Sequence, residues 1–301
     1  TNRAISTIIL WITSSWKPKF VFRFSSIRRI FIFSSFVFGN RLIKYFSSYV
    51  DRVIIGKFLS PILLGYYDRG KQFNDLVKNT TSTSLWKVAF PIFSRFQNSG
   101  DSFKSIYLKY LRITCFIVIP AFFLLSAIST DFIVILLTDK WLFSAKILRI
   151  LALSGYIWAL RYITEGAINA LGKSNRTFYY NLLNLVLYSS GILIGIQWGL
   201  IGIAVGLVIS EYLLFILVFQ FNRNIIGLSW IDFFNELAVP LIGSTMVWVL
   251  IFFIDKSTQL NIYVNLVINI IIGFTLYFIF TYIFGKKYHI STKNIVKQIF
   301  V

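Results

Sequence analysis

Two charged stripes lying within apolar stretches are where this sequence could do chemistry. Arg41, Lys44, Ser48, Asp51 and Arg52 interrupt an aromatic, apolar run. At about 100° per residue they fall within roughly 100° of helix arc. Beyond a break at Ser60-Pro61, Asp68, Lys71, Asp75, Lys78, Asn79 and Ser82 repeat the pattern. A charge at the bilayer centre costs at least about 2.5–3.5 kcal/mol on insertion scales. Several charges facing lipid would cancel the insertion energy of the helix that carries them. The stripes therefore read as walls of a hydrated cavity within a membrane.

The residue types define what such a cavity could hold. Arg41, Lys44 and Arg52, joined by Lys71 and Lys78, are candidates for binding an anion through charge and hydrogen bonds in a low-dielectric cleft. Arg52, at a helix end, could instead reach an interface. Asp51, Asp68 and Asp75 are available to pair with these cations or to couple an ion or proton. Glu211 has no base within a helical turn on either side, which makes it a further candidate for coupling, unless it simply meets water at the end of its span. Arg161 and Glu165, four residues apart, form an expected structural pair. Tyr45, Tyr49, Tyr66 and Tyr67 could stack on sugar rings beside the stripe.

Other chemistries lack their residues. The one cysteine, Cys115, sits in an apolar run, and His289 is the one histidine. That leaves no disulfide framework, no thiolate metal site and no zinc or Ser/His/Asp centre to propose, and no cofactor is expected. Gly172-Lys173-Ser174 lacks the upstream glycine spacing of a phosphate loop. The chain reads as a non-enzyme.

Composition fits the same picture. Of 301 residues 57% are hydrophobic and 14% charged, where a soluble chain would carry about 25% charge. The excess of 30 Lys+Arg over 11 Asp+Glu could attract nucleic acid. The basic residues lie at the ends of apolar runs, however, so cytoplasmic loops against anionic membrane lipids are the better reading, with no nucleic-acid partner.

The elements that must position the stripes form an all-α polytopic membrane protein of about eight complete spans plus a remnant. Residues 1–29 read as the tail of a truncated span, Ala4–Trp16, and a basic cytoplasmic loop with Lys17, Lys19, Arg23, Arg28 and Arg29. Spans are expected at about 30–53, 62–92, 104–128, 145–171, 177–197, 200–221, 233–254 and 262–284. The first six make a bundle over 30–221, and 222–301 adds two spans and a basic tail. Ser129–Ser144 reads as a short external segment. With the first loop inside, alternation places most loop Lys and Arg on one side. Gly191, Gly195, Gly199, Gly202 and Gly206 predict close helix packing.

Three stretches carry a family resemblance: Asp51-Arg52-Val53-Ile54-Ile55-Gly56-Lys57-Phe58-Leu59, Leu64-Gly65-Tyr66-Tyr67, and Phe90-Pro91-Ile92-Phe93-Ser94-Arg95, with Ala170-Leu171-Gly172-Lys173 after a later span. They resemble the start of the second half of Wzx-type flippases, in the polysaccharide transporter family of the multidrug/oligosaccharidyl-lipid/polysaccharide exporter superfamily. The resemblance implies one lobe of a two-lobed exporter. It further implies flipping of undecaprenyl-diphosphate-linked oligosaccharide across the bacterial inner membrane by alternating access, coupled to an ion gradient, for O-antigen, capsule or exopolysaccharide synthesis. Lipid-linked oligosaccharide, membrane lipids and the polysaccharide polymerase machinery are the implied partners. A multidrug exporter of the same superfamily is a rival reading, and a cavity rich in Arg and Lys argues against its often cationic substrates. A membrane polysaccharide polymerase or ligase is a second rival, expected to show a large external loop that this chain lacks.

Overall fold

The computed structural model describes residues 5, 7, 11, 13, 24–257 and 261–286, leaving out the side chains of 24–37, 40, 41, 44, 82, 83, 256 and 257. Of the expected remnant Ala4–Trp16, Ile5, Thr7, Trp11 and Thr13 are described, each helical and exposed; its other residues, the basic loop before residue 24, His289 and the basic tail after Lys286 lie outside the described residues, as do the side chains of Arg41, Lys44 and Ser82. Contacts divide the chain into two compact units, Thr1–Arg41 and Leu42–Val301. The packing and cavity below belong to the second.

Among the described residues the secondary structure is helical throughout: α1 Phe24–Phe58, α2 Pro61–Arg95, α3 Gly100–Ala127, α4 Ser129–Leu137, α5 Leu142–Ala170, α6 Asn175–Gly195, α7 Gly199–Ile226, α8 Trp230–Ser257 and α9 Ile262–Phe284. Among the described residues five helical stretches are long and apolar enough to cross a membrane, one of them the α6–α7 pair as a single 52-residue stretch. The chain is a multi-pass membrane protein. At 35 residues each, α1 and α2 are about 50 Å long and exceed the roughly 30 Å apolar thickness of a bilayer.

Two boundaries differ from the sequence expectation. Arg28 and Arg29 lie in α1, which starts at Phe24, where the sequence suggested a loop. The segment expected as a short external connection contains α4 and a short 3-10 turn, Asp139–Trp141. An apolar run, Phe132–Leu137, allows this stretch to pack as a helix on α5 and α9.

Local chemistry accounts for the sharp turns. Ser60 takes an extended conformation and its Oγ accepts from the Leu63 amide at 3.1 Å, while Pro61 opens α2 without an amide to satisfy. Ser229 and Asp232 cap α8 reciprocally, each side chain accepting from the other's amide, at 3.0 and 2.9 Å. Gly227, at φ 76°, closes α7 in the left-handed conformation.

In the second unit α5 packs along α2, α3 and α7; α6 lies on α7; and α8 joins α3 to α9. Glycines set the closest approaches. A Cβ at Gly195 would meet the Gly202 carbonyl oxygen at 2.3 Å, and one at Gly191 the Gly206 carbonyl at 2.6 Å. That is the close packing of α6 on α7 expected from the spacing for Gly191, Gly195, Gly202 and Gly206; Gly199 takes no part, standing at the start of α7 with φ 67° and nothing within 4 Å of a Cβ. At Gly166 the missing side chain makes room for Trp86, whose ring leans on Tyr162 at 5.2 Å. Arg112 of α3 grips Glu236 of α8 with two hydrogen bonds of 2.7 and 2.9 Å, and Lys104 meets Asp232 at 2.8 Å. Lys104 and Arg112 thus tie α3 to α8.

Candidate functional site

The charged stripes converge on a cavity of about 460 Å³ inside the second unit, bounded by α1, α2, α5, α6 and α7. Its wall is mostly polar. Arg52, Lys71, Lys78 and Arg161 supply the cations, and Asp75, Glu165 and Glu211 the carboxylates.

Asp51 anchors one side. It is fully buried, and its carboxylate accepts from Tyr67 Oη at 2.7 Å, from Tyr188 Oη at 3.0 Å and from the Lys71 ammonium. Lys71 also donates to Tyr188 Oη at 3.1 Å. Three donors from two helices compensate a carboxylate that would be costly to bury alone. Because Tyr67 and Lys71 are one helical turn apart, α2 offers both to the same carboxylate. Arg52, one residue on, points the other way and meets Asp68 at 2.8 Å, with the two side chains 41% and 37% exposed. A pair so open contributes little on its own.

Arg161 anchors the other side. Its Nη1 meets Glu165 at 2.6 Å, one turn along α5, and its Nε meets Glu211 of α7 at 3.0 Å, all three side chains being buried. The sequence could offer Glu211 no nearby base; the fold brings one fifty positions away.

Between these anchors the groups are less committed. Among the described residues Lys78 and Asp75 form no ion pair, and the Lys78 ammonium lies over the Trp158 ring, 6.0 Å from its centroid. Asn74 is almost wholly buried, and its Oδ1 has no hydrogen-bond partner. Trp158 and Tyr162 stack in parallel at 5.0 Å and 10°, giving the cavity an aromatic wall.

Of the residues singled out in the sequence, Arg52, Lys71, Lys78, Asp75, Arg161, Glu165 and Glu211 line the cavity, while Asp51 and Asp68 stand behind it as partners. Of the four tyrosines expected to stack on sugars, Tyr49 and Tyr67 reach the cavity. Tyr66 packs on Trp141 and Phe143, and Tyr45 on Tyr49. Sequence reasoning missed Trp158, Tyr162 and the α6 face Asn181, Asn184 and Tyr188. The last was legible, since three polar groups at intervals of three and four in an apolar helix share one arc.

Fold and cavity together define a helical membrane protein with a polar, open cleft among its helices. Comparison with known proteins refines the class. Residues 1–146 match the family model described as polysaccharide biosynthesis protein. The chain is 24% identical over 255 residues to the teichuronic acid biosynthesis protein TuaB of Bacillus subtilis, covering 84% of this chain and 53% of that protein. It is 20% identical over 243 residues to the lipopolysaccharide biosynthesis protein WzxC of Escherichia coli, covering 79% and 49%. Among solved structures it resembles the lipid II flippase MurJ in its inward closed conformation, with a TM-score of 0.71 and 18% identity over 94% of this chain and 60% of that one. The resemblance to polysaccharide exporters read from the sequence is thus met by matches in sequence and in fold. The chain spans about half the length of the curated relatives it matches.

Proposed function

We propose that this chain forms the second lobe of a flippase that moves undecaprenyl-diphosphate-linked oligosaccharide across the bacterial inner membrane. Residues 30–221 are its six-helix bundle, and 222–301 supply two further spans. The observation that carries the proposal is the polar, open cavity lined by charged groups among otherwise apolar helices. A passive scaffold gives no reason to hold Lys78 and Asp75 unpaired, and Asn74 unsatisfied, at that depth. The relatives named for teichuronic acid and lipopolysaccharide biosynthesis support a glycan cargo.

In this reading the diphosphate is drawn first to Lys78, whose charge no carboxylate holds in an ion pair, and Arg52 can exchange its open pair with Asp68 for the phosphate. Lys71 is more tightly bound by Asp51 and sets the field of the cavity. Arg41 and Lys44 stay in the proposal as further cations of the anion site, on the sequence argument. Sugars lie in the wet chamber against Trp158 and Tyr162, the lipid tail stays in the bilayer, and rocking of two lobes exposes the chamber to each side in turn. Asp51, Asp68, Asp75 and Glu211 are the carboxylates through which an ion gradient could act. Delivery to a polysaccharide polymerase follows on the far side.

Transport of lipid-linked glycan by the full-length protein in proteoliposomes tests the reading. Lys78→Met should reduce the rate at least about tenfold, the loss of one charge-assisted contact, and Lys78→Arg should restore most of it. Wild-type transport by Lys78→Met together with Arg52→Gln would remove the cavity from the mechanism.

A further inference from the structure

A row of aromatic rings continues past the cavity along the seam between α2 and α5. Trp158 and Tyr162, one turn apart on α5, stack at 5.0 Å and 10°. Tyr162 meets Trp86 of α2 at 5.2 Å, and Trp86 stacks on Phe90, one turn further along α2, at 5.0 Å and 23°. The rings thus follow one another in steps of nearly equal length. The two helices run in the same direction, since Gly70 lies against Ser144 and Ile147 while Gly166 lies against Trp86. The row therefore has a sense, from the cavity toward the Arg95 end of α2. At its cavity end the Lys78 ammonium sits 6.0 Å from the centroid of Trp158.

Packing of α2 on α5 does not by itself account for the row. Between Ser154 and Ile168 every residue of α5 is buried except Trp158 and Tyr162, and Trp86 and Phe90 are likewise only half-buried. A helix that hides its polar neighbours while leaving these two rings partly open presents them to something else. Polar groups with unused hydrogen-bonding capacity stand beside the first rings. Asn79 of α2 and Asn184 of α6 line the cavity, and among the described residues nothing bonds to their side-chain amides; the Oδ1 of Asn74 is also unpartnered. Ring faces beside free amides suit pyranose sugars, whose C–H faces lie on aromatic carbon and whose hydroxyls need both donors and acceptors.

We infer that Trp158, Tyr162, Trp86 and Phe90 form a track for an extended oligosaccharide, with its phosphorylated end at Lys78 and its distal sugars toward the Arg95 end of α2. The inference rests on the flippase reading above and adds to it an order for the glycan. The charge of Lys78 places the phosphate beside the first ring, so the first sugar falls on Trp158 and Tyr162 inside the cavity. Trp86 and Phe90 lie beyond the cavity lining and are reached only by sugars further from the phosphate. Gly166 keeps the row continuous, because a Cβ there would lie 1.8 Å from the Trp86 ring and push it off Tyr162. Stacking on ring faces tolerates varied sugars, whereas the amides near Trp158 select the first one.

The test compares two cargoes in proteoliposomes of the full-length protein. One is lipid-linked oligosaccharide extracted from the producing cells, and the other is the same molecule trimmed by exoglycosidases to its first sugar. Trp86→Leu should raise the KM for the oligosaccharide cargo at least about fivefold, the scale of one stacked ring, and leave that for the trimmed cargo unchanged. Phe90→Leu, a smaller change that keeps Trp86 in its seat, should act in the same direction, and Trp86→Tyr should retain most of the affinity. Trp158→Leu and Lys78→Met should impair both cargoes. Unchanged transport of the oligosaccharide by both Trp86→Leu and Phe90→Leu, or equal losses for the two cargoes in both variants, overturns the track and leaves the flippase reading standing. Wild-type protein that moves neither cargo removes that reading, and the track with it.

Discussion

Arg161 stands between two carboxylates of different helices, 2.6 Å from Glu165 on its own α5 and 3.0 Å from Glu211 on α7. One buried guanidinium is therefore shared by two acids and fixes the rotation of α7 against α5. Truncating it leaves both acids uncompensated. Arg161→Met should cost about 3–5 kcal/mol, the usual penalty for breaking a buried ionic group by removing one partner. The loss should show as a lower Tm in detergent. The triple change Arg161→Met, Glu165→Gln, Glu211→Gln should recover most of it, since no buried charge is then left over.

Asp51 and Lys71 should behave as a coupled pair. Asp51→Asn strands the ammonium beside two tyrosine hydroxyls, whereas Lys71→Met leaves the carboxylate two donors, Tyr67 and Tyr188. The first change should therefore destabilise more than the second. A double-mutant cycle read by thermal unfolding should give a coupling energy of about 0.5–3 kcal/mol. Strict additivity would contradict the contact.

The α6–α7 contact depends on the absence of side chains. Gly195→Val should destabilise by at least about 1–3 kcal/mol, because its Cβ would collide with the backbone of Gly202, which cannot move aside without parting the helices. Gly65, inside α2 with open space around it, is the contrasting position. There, Gly→Ala should be neutral or stabilise by up to about 1 kcal/mol through helix propensity. Detergent melting curves of the two variants would settle the comparison.

The start of α2 carries part of the cavity, so its cap should be felt there. Ser60→Ala removes the acceptor of the Leu63 amide and should cost about 1 kcal/mol. Hydrogen exchange should speed up over the first turn of α2 in this variant and stay unchanged in α9.

Much of this protein was readable in the chain itself. The membrane character, the two charged arcs, the Ser60-Pro61 break and the glycine contacts all depend on residue type and local spacing. These quantities reflect short-range physics: the cost of charge in hydrocarbon, the turn of a helix, the room a Cβ needs. The second polar arc on α6, at Asn181, Asn184 and Tyr188, was open to the same reasoning.

Which group meets which was a different matter. An arc of roughly 100° identifies the face that avoids lipid and leaves several neighbours that it could address. Glu211 seemed isolated because its base lies on another helix, and Tyr188 reaches Asp51 across 137 positions. Asn265 bridges Asp131 and Asp255 for the same reason. Those partnerships follow from how far each helix rotates and slides before its glycines and aromatic rings lock, and that depends on all the neighbours at once. Sequence spacing thus determined what had to be sheltered, and tertiary packing decided which residues shelter it.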